Sequence, residues 1–404
     1  MALYPALATG SLAVSTHVRP SAGCWPSRRP GSWANGCAAG CLPVSPGRRG
    51  LLTNHGKPAG YAPLAGIHLV SWLVALTAGA VSLMGRATPR QRSGLLAAAL
   101  LVWGGGAALK QVTWTQPAGK PFTVALAQGN IPQALKWKPE TAEYTLITYY
   151  RQVAATRADL MILPETAMPL FLEDLPANYL ALLTRTAAEQ HMALASGVPR
   201  RTPDGRGYLN AVVALSDPRL PSYAKDHLVP FGEFIPLPGL IGWIYQFMDM
   251  PLSGFSRGGS NQAPLQLAGQ RVAFNVCYED SFGEELIGPA AQATLLANVS
   301  NLAWFGKSVA MQQHLQLSQT RALETGRVML RATNTGMTAI INPDGEIATL
   351  AAPFTQQVLQ GKVQGRQGLT PYMRWGNLPT LLLMAALLAV ATALGAHRRR
   401  MVAH

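Results

Sequence analysis

Arg271-Val272-Ala273-Phe274-Asn275-Val276-Cys277-Tyr278-Glu279-Asp280-Ser281-Phe282-Gly283-Glu284-Glu285 is the stretch from which the rest of the chain can be organised. Arg271 to Val276 follows Gly269-Gln270 and reads as a short buried strand. Ser281, followed by the acids Glu284 and Glu285, predicts a helix start with a serine cap. Cys277 therefore stands at a strand-to-helix junction. There a thiol can be presented to solvent, and nearby helix N–H groups can favour its thiolate. A small buried core residue is the plainer reading of a free cysteine. The choice between the two depends on what other chemistry the chain places near strand ends.

The remaining cysteines, Cys24, Cys37 and Cys41, lie in the first fifty residues. No disulfide framework or metal-ligand spacing completes them. The net charge is +14, but all 19 acids fall between Glu140 and Glu346. From Lys110 to Arg374 they are nearly balanced by 21 basic residues. The other basic residues lie at the N-terminus and beside apolar runs. This pattern argues against a nucleic-acid partner, which would draw the charge onto the folded domain. It is the pattern of membrane-topology charges.

Residues 1 to 58 contain no acid and are rich in Ser, Pro, Arg, Gly and Ala. They show no helical or strand period and fit no targeting peptide. They are expected to be a disordered or non-native segment. Three apolar runs follow: Tyr61 to Gly85, Ser93 to Leu109 and Leu378 to Gly395. Each is long enough to be read as a membrane span rather than a core helix. Arg86, Arg90 and Arg92 follow the first, and Arg398, Arg399 and Arg400 follow the third. The positive-inside rule puts both clusters in the cytoplasm and the intervening region on the opposite, periplasmic side. The expected organisation is two spans over 59–110, a periplasmic domain over 111–376, a span over 377–396 and a basic tail over 397–404.

Within the domain, strand and helix signals alternate. Phe122 to Ala127, Leu160 to Leu163, Ala193 to Ser196, Ala211 to Leu215, Thr294 to Asn298, Val328 to Ala332 and Met337 to Asn342 read as strands. Glu140 to Thr156, Tyr179 to His191 and Met311 to Thr325 read as helices. The fold class is α/β, with a largely buried sheet. Pro164-Glu165 places a carboxylate directly after a strand, and Lys225 and Glu233 lie in one loop. A thiol, a base and a fixed cation at strand ends suit acyl transfer. A carboxylate in a dry pocket has its pKa raised toward neutrality, and a lysine can hold an oxyanion. Taken singly, a solvated glutamate, a surface ion pair and a core cysteine are the plainer readings.

The order of these residues resembles the nitrilase superfamily and, more closely, the bacterial apolipoprotein N-acyltransferases. The matching stretches are Q-G-N-I-P-Q-A-L-K-W at 128–137, P-E-T-A-M-P-L-F at 164–171 and K-D-H-L-V-P-F-G-E-F-I-P at 225–236. They continue with N-V-C-Y-E-D at 275–280, N-V-S-N-L-A-W-F-G at 298–306, R-A-L-E-T-G-R at 321–327 and R-A-T-N-T-G at 331–336. The resemblance implies a nitrilase-like α-β-β-α sandwich inserted between transmembrane helices of the bacterial inner membrane. It implies a catalytic Glu165 as base, Lys225 as oxyanion stabiliser and Cys277 as nucleophile. Glu233, Tyr278 and Glu279 would support them, and Trp137 and Asn210 would line the substrate cavity.

The implied reaction is N-acylation of the diacylglyceryl-cysteine of apolipoproteins, the last step of lipoprotein maturation. Phospholipid would be the donor and a Cys277 thioester the intermediate, in a monomer without cofactor or metal. Leu302 and Lys307 depart from the family pattern, and fewer spans precede the domain than the family carries, as in a truncated or altered front. A nitrilase-like amidase and an inactive, truncated membrane protein remain open as alternatives. The apolar stretch Leu240 to Met248, beside the lysine loop, is expected to dip into the lipid interface.

Overall fold

The computed structural model describes residues 57–133, 139–230, 232–234 and 254–402. The N-terminal segment, the 240–248 stretch and Trp137 lie outside them. The chain divides into two compact units, one of them Thr113–Arg374 and the other made of the segments on either side.

The flanking unit holds α1 (Ala62–Leu83), α2 (Pro89–Leu109) and, after the domain, the long helix Leu378–Val402. Three helices here are long and apolar enough to cross a membrane: Pro58–Leu83, Pro89–Leu109 and Leu378–His397. Leu100, Leu101 and Leu382 lie on exposed faces, as expected for side chains whose solvent is lipid. Thr88 caps α2 through a capping box with Gln91. Near its start α1 is kinked at Ala65 and Gly66, where Gly66 takes φ 76°. The Ala65 carbonyl accepts a hydrogen bond from the Thr380 hydroxyl at 3.0 Å. An unwound turn at membrane depth needs such a partner, because lipid offers none.

Among the described residues the domain has two six-stranded sheets. The first contains β1 (Gln116–Gln128), β2 (Leu160–Leu163), β3 (Ala193–Arg201), β4 (Tyr208–Ala214) and β5 (Ser222–Ala224). The second contains β6 (Leu265–Leu267), β7 (Gln270–Val276), β8 (Leu295–Ser300), β9 (Val328–Thr333), β10 (Ala339–Ile341) and β11 (Ile347–Leu350). The last strand, β12 (Gln357–Gln367), returns to the first sheet and runs antiparallel to β1. β1, β2 and β3 are parallel, as are β7, β8 and β9.

Side-chain alternation along each strand builds the layers. Val124, Leu126, Leu160 and Ile162 face Val272, Phe274, Leu295, Ala297 and Leu330 in the core between the sheets. Their alternates Ala125, Ala127, Met161 and Leu163 pack under α3 (Pro139–Ala155) and α4 (Ala177–Glu189). On the other side Ala273, Leu296 and Met329 pack under α5 (Gly283–Gln292) and α6 (Ala310–Thr325). The result is the expected α-β-β-α sandwich. The largely buried sheet read from the strand pattern is divided between two sheets, each covered on both faces.

One local expectation is corrected. Ser281 does not cap a helix: Cys277–Ser281 is a 3-10 turn, and α5 starts later, from Phe282, without a side-chain cap. The reason is Glu279, whose carboxylate turns back to the Val276 N–H at 2.7 Å and tightens the first turn.

Candidate active site

Glu165, Cys277 and Asn301 each follow the carboxyl end of a parallel strand, β2, β7 and β8 respectively. Open α/β sheets present ligand crevices at such ends. Lys225 follows β5, and its backbone N–H pairs with the Asn210 carbonyl of β4 at 2.8 Å. The first sheet thus supplies Glu165, Asn210 and Lys225, and the second supplies Cys277.

Glu165 is buried and held at both oxygens. Oε1 accepts from Asn210 Nδ2 at 2.8 Å, and Oε2 from the Asn301 backbone N–H at 2.7 Å. The turn around it is tight: Thr166 takes φ 49°, and Gly197 of β3 runs directly beneath. A Cβ at Gly197 would overlap the Pro164 carbonyl and the Glu165 Cα, so only glycine lets the strands approach there.

Lys225 is 1% exposed. Its ammonium pairs with Glu233 at 2.7 Å and lies 5.4 Å from the centroid of the Tyr278 ring. Glu233 also accepts from Asn210 Nδ2 at 3.1 Å and the Val229 N–H at 2.8 Å. Burial alone would lower the lysine pKa. The neighbouring carboxylates Glu233 and Glu165 are charged beside it, the pKa is held above the usual value, and the ammonium stays charged.

Cys277 is half-buried and takes φ 56°, a left-handed conformation that costs a non-glycine residue energy. Burial, and after it the charge of Glu165, push its thiol up against the pull of Lys225. The sulfur is therefore held as a thiol, and would need a base before it could act as a nucleophile.

Glu279 ties the lysine loop to the cysteine turn. Oε1 accepts the N–H groups of Asp226 and His227 at 2.8 and 3.0 Å. Oε2 accepts the Tyr223 hydroxyl at 2.9 Å and the Val276 N–H at 2.7 Å. Tyr278 donates its hydroxyl to the Leu228 carbonyl at 2.8 Å and meets His227 and Phe282 edge-on.

Of the residues named from the sequence, the structure brings together Glu165, Lys225, Cys277, Glu233, Tyr278, Glu279 and Asn210. Trp137 lies outside the described residues. Leu302 is fully buried, and the Lys307 ammonium sits 5.5 Å from the centroid of the Phe354 ring. Sequence reasoning missed Asn301, which acts through a backbone N–H that no side-chain pattern reveals. It also missed Gly197, whose close approach needs the strand pairing to be known.

A carbon-nitrogen hydrolase family model matches residues 123–372. An apolipoprotein N-acyltransferase of Chromobacterium violaceum is 65% identical over 404 residues, covering 99% of this chain and 78% of that protein. One from Neisseria meningitidis serogroup B is 49% identical over 341 residues, covering 82% of this chain and 67% of its own. Among solved structures, a nitrilase-superfamily amidase from Nesterenkonia AN1 superposes with a TM-score of 0.44 at 20% identity, over 61% of this chain and 92% of its own. The chain belongs to the carbon-nitrogen hydrolase family, among its apolipoprotein N-acyltransferases.

Proposed function

We propose that this chain is a membrane acyltransferase that N-acylates lipoproteins, with phospholipid as donor and Cys277 as the acyl carrier. The observation that carries the reading is the meeting of one thiol, one buried ammonium and one oriented carboxylate at the ends of facing sheets. Among the described residues the chain that holds them also has three membrane-length helices, as two lipid substrates require. An amidase acting on small soluble amides would have no use for those helices. The intact triad argues against an inactive remnant.

In the first half-reaction Cys277 Sγ attacks the ester carbonyl carbon and its proton passes to Glu165. The C–S bond forms, and the carbonyl oxygen becomes an oxyanion beside Lys225. Collapse breaks the bond to the glycerol oxygen, which takes the proton back from Glu165 and leaves as lysophospholipid. In the second half-reaction the α-amine of a diacylglyceryl-cysteine attacks the thioester. A C–N bond forms, Glu165 takes the amine proton, the C–S bond breaks and the proton returns to sulfur. Glu233 fixes Lys225, and Asn210 and Asn301 fix Glu165. Trp137 and Asn210 are assigned to the substrate cavity, and the enzyme works as a monomer.

The arginines after the first and third spans belong to the cytoplasmic face of the inner membrane. The catalytic domain then faces the periplasm.

Incubated with phospholipid alone, the protein should gain the mass of one acyl chain on the peptide containing Cys277. Neutral hydroxylamine should release it, and a diacylated lipopeptide with a free amine should discharge it. Cys277→Ser should neither load nor turn over. Folded protein that carries no adduct on Cys277 refutes the reading.

A further inference from the structure

Asn275, Asn298 and Arg331 are register partners across three parallel strands, β7, β8 and β9. By strand alternation they share the outward face of the second sheet with Ala273, Leu296 and Met329. They form a polar rung at the carboxyl end of an otherwise apolar layer. Arg331 is fully buried, and so is its counter-charge Asp280. A buried ion pair is weak evidence of stabilisation, because desolvation offsets the attraction. The rung therefore calls for another explanation.

Its hydrogen bonds lead to the nucleophile turn. Arg331 Nη1 donates to Asn298 Oδ1 at 2.8 Å and Ser318 Oγ at 2.8 Å, and lies 3.4 Å from Asp280 Oδ2. Nη2 meets His314 Nδ1 at 2.6 Å. Burial, and then the Arg331 charge, hold His314 well below the usual histidine range, and Nδ1 accepts because the guanidinium it faces can only donate. Ser318 Oγ donates to Asp280 Oδ2 at 2.6 Å. These contacts orient the guanidinium, which together with the Ser300 hydroxyl, donating to the same Oδ1 at 3.1 Å, holds Asn298. Asn298 Nδ2 then donates to Asn275 Oδ1 at 2.5 Å and to the Cys277 carbonyl at 2.9 Å. A peptide unit is planar, so pinning this carbonyl fixes the whole Cys277–Tyr278 peptide. Cys277 holds a φ of 56°, which a cysteine adopts only under constraint.

We propose that Arg331 is a positioning residue for acyl transfer: acting through Asn298, it locks the Cys277–Tyr278 peptide in the left-handed turn that presents the thiol. The inference rests on Cys277 being the nucleophile. Arg331 touches no substrate. Its effect should fall on kcat, because a loosened turn misplaces the sulfur in the transition state without altering lipid binding.

The test uses the full chain in detergent micelles with three variants. Asn298→Ala cuts the link but keeps the Arg331–Asp280 pair. Arg331→Met with Asp280→Asn removes both charges together, so neither is left buried alone. The triple variant combines them. Asn298→Ala and the double variant should each lower kcat on the order of 10- to 100-fold, with KM moved by less than about 3-fold. The triple variant should be no worse than the poorer of the two, because both cut one chain of contacts. In parallel, iodoacetamide alkylation of Cys277 is followed against pH by peptide mapping, and its profile should change in Asn298→Ala. A wild-type kcat and alkylation profile in Asn298→Ala overturns the proposal. So do losses that multiply in the triple variant. If the double variant does not fold, Asn298→Ala alone decides. If the wild-type protein carries no acyl group on Cys277, the nucleophile reading fails separately, and the alkylation profile still tests the lock.

Discussion

Replacing Glu279 by glutamine removes one charge and one acceptor from the clamp that joins the lysine loop to the cysteine turn. The carboxylate accepts the N–H groups of Asp226, His227 and Val276 and the Tyr223 hydroxyl. A glutamine does best with its oxygen toward Asp226 and His227. Its amide then meets the Tyr223 hydroxyl, which can turn and accept, and the Val276 N–H, which cannot. One buried donor is stranded, at about 1–3 kcal/mol. Burial already disfavours the Glu279 carboxylate and raises its pKa, so removing the charge returns part of that loss. Glu279→Gln should therefore fold, with a stability loss near the bottom of that range. Glu279→Ala strands three N–H groups at about 1–3 kcal/mol each, a large part of a domain's whole stability of about 5–15 kcal/mol. It should accumulate poorly. In the glutamine variant the Lys225 loop is released from the turn that carries Cys277. A displacement near 1 Å costs on the order of 100-fold in rate. Acyl transfer from phospholipid to a diacylated lipopeptide measures kcat, and chemical denaturation of the same preparation measures stability. Wild-type kcat and an unchanged midpoint in Glu279→Gln would refute the clamp.

Lys225→Met should lower kcat on the order of 10²–10³-fold, the cost of one oxyanion donor, in an assay on protein checked for folding. Near-normal turnover would reduce the lysine to an ion-pair partner of Glu233. Asp280 should make stability fall as pH rises from about 4 to about 6. Burial raises its pKa from 3.8 to about 6 against the opposing charge of Arg331. A raised folded pKa adds stability below the unfolded value, and that stability is lost on passing the folded one. The full shift corresponds to about 3 kcal/mol. Urea midpoints of wild-type protein and Asp280→Asn across that range should diverge, and parallel curves would remove Asp280 from the account. Alkaline phosphatase, active only when exported, should be active when fused after residue 375 and inactive after Arg400; the reverse result would invert the orientation.

The parts of the fold carried by short, largely apolar runs were legible in the chain. Leu160 to Leu163, and Val328 to Ala332 with Arg331 as its one charged residue, become central strands because each side of them must be covered. β12 was not legible. Gln357–Gln367 alternates weakly and is rich in Gln and Gly, and its partner β1 lies more than 200 residues earlier. Pairing at that distance is decided by tertiary packing rather than by local propensity. The site divides the same way. Glu165, Lys225 and Cys277 have the side chains that the proposed chemistry would use, and each stands in a matching motif. Asn301 reaches Glu165 through its peptide N–H and not its side chain, and Ser281 has the look of a cap but loses the position to Glu279.

The pairing of β1 with β12 also sets when the enzyme can exist. During synthesis the first sheet emerges with β1 bare on one edge, and the strand that covers it arrives only with Gln357–Gln367. Contacts so distant in sequence close slowly and late. Cys277 has by then been made, but the sandwich that surrounds it with Lys225 and Glu165 is incomplete. The Cys277 thiol thus lacks its full surroundings until the last strand docks. The next long element is the apolar helix Leu378–Val402. Assembly of the site is in effect gated by β12, and a chain interrupted before that strand holds Cys277, Lys225 and Glu165 in an unfinished sandwich.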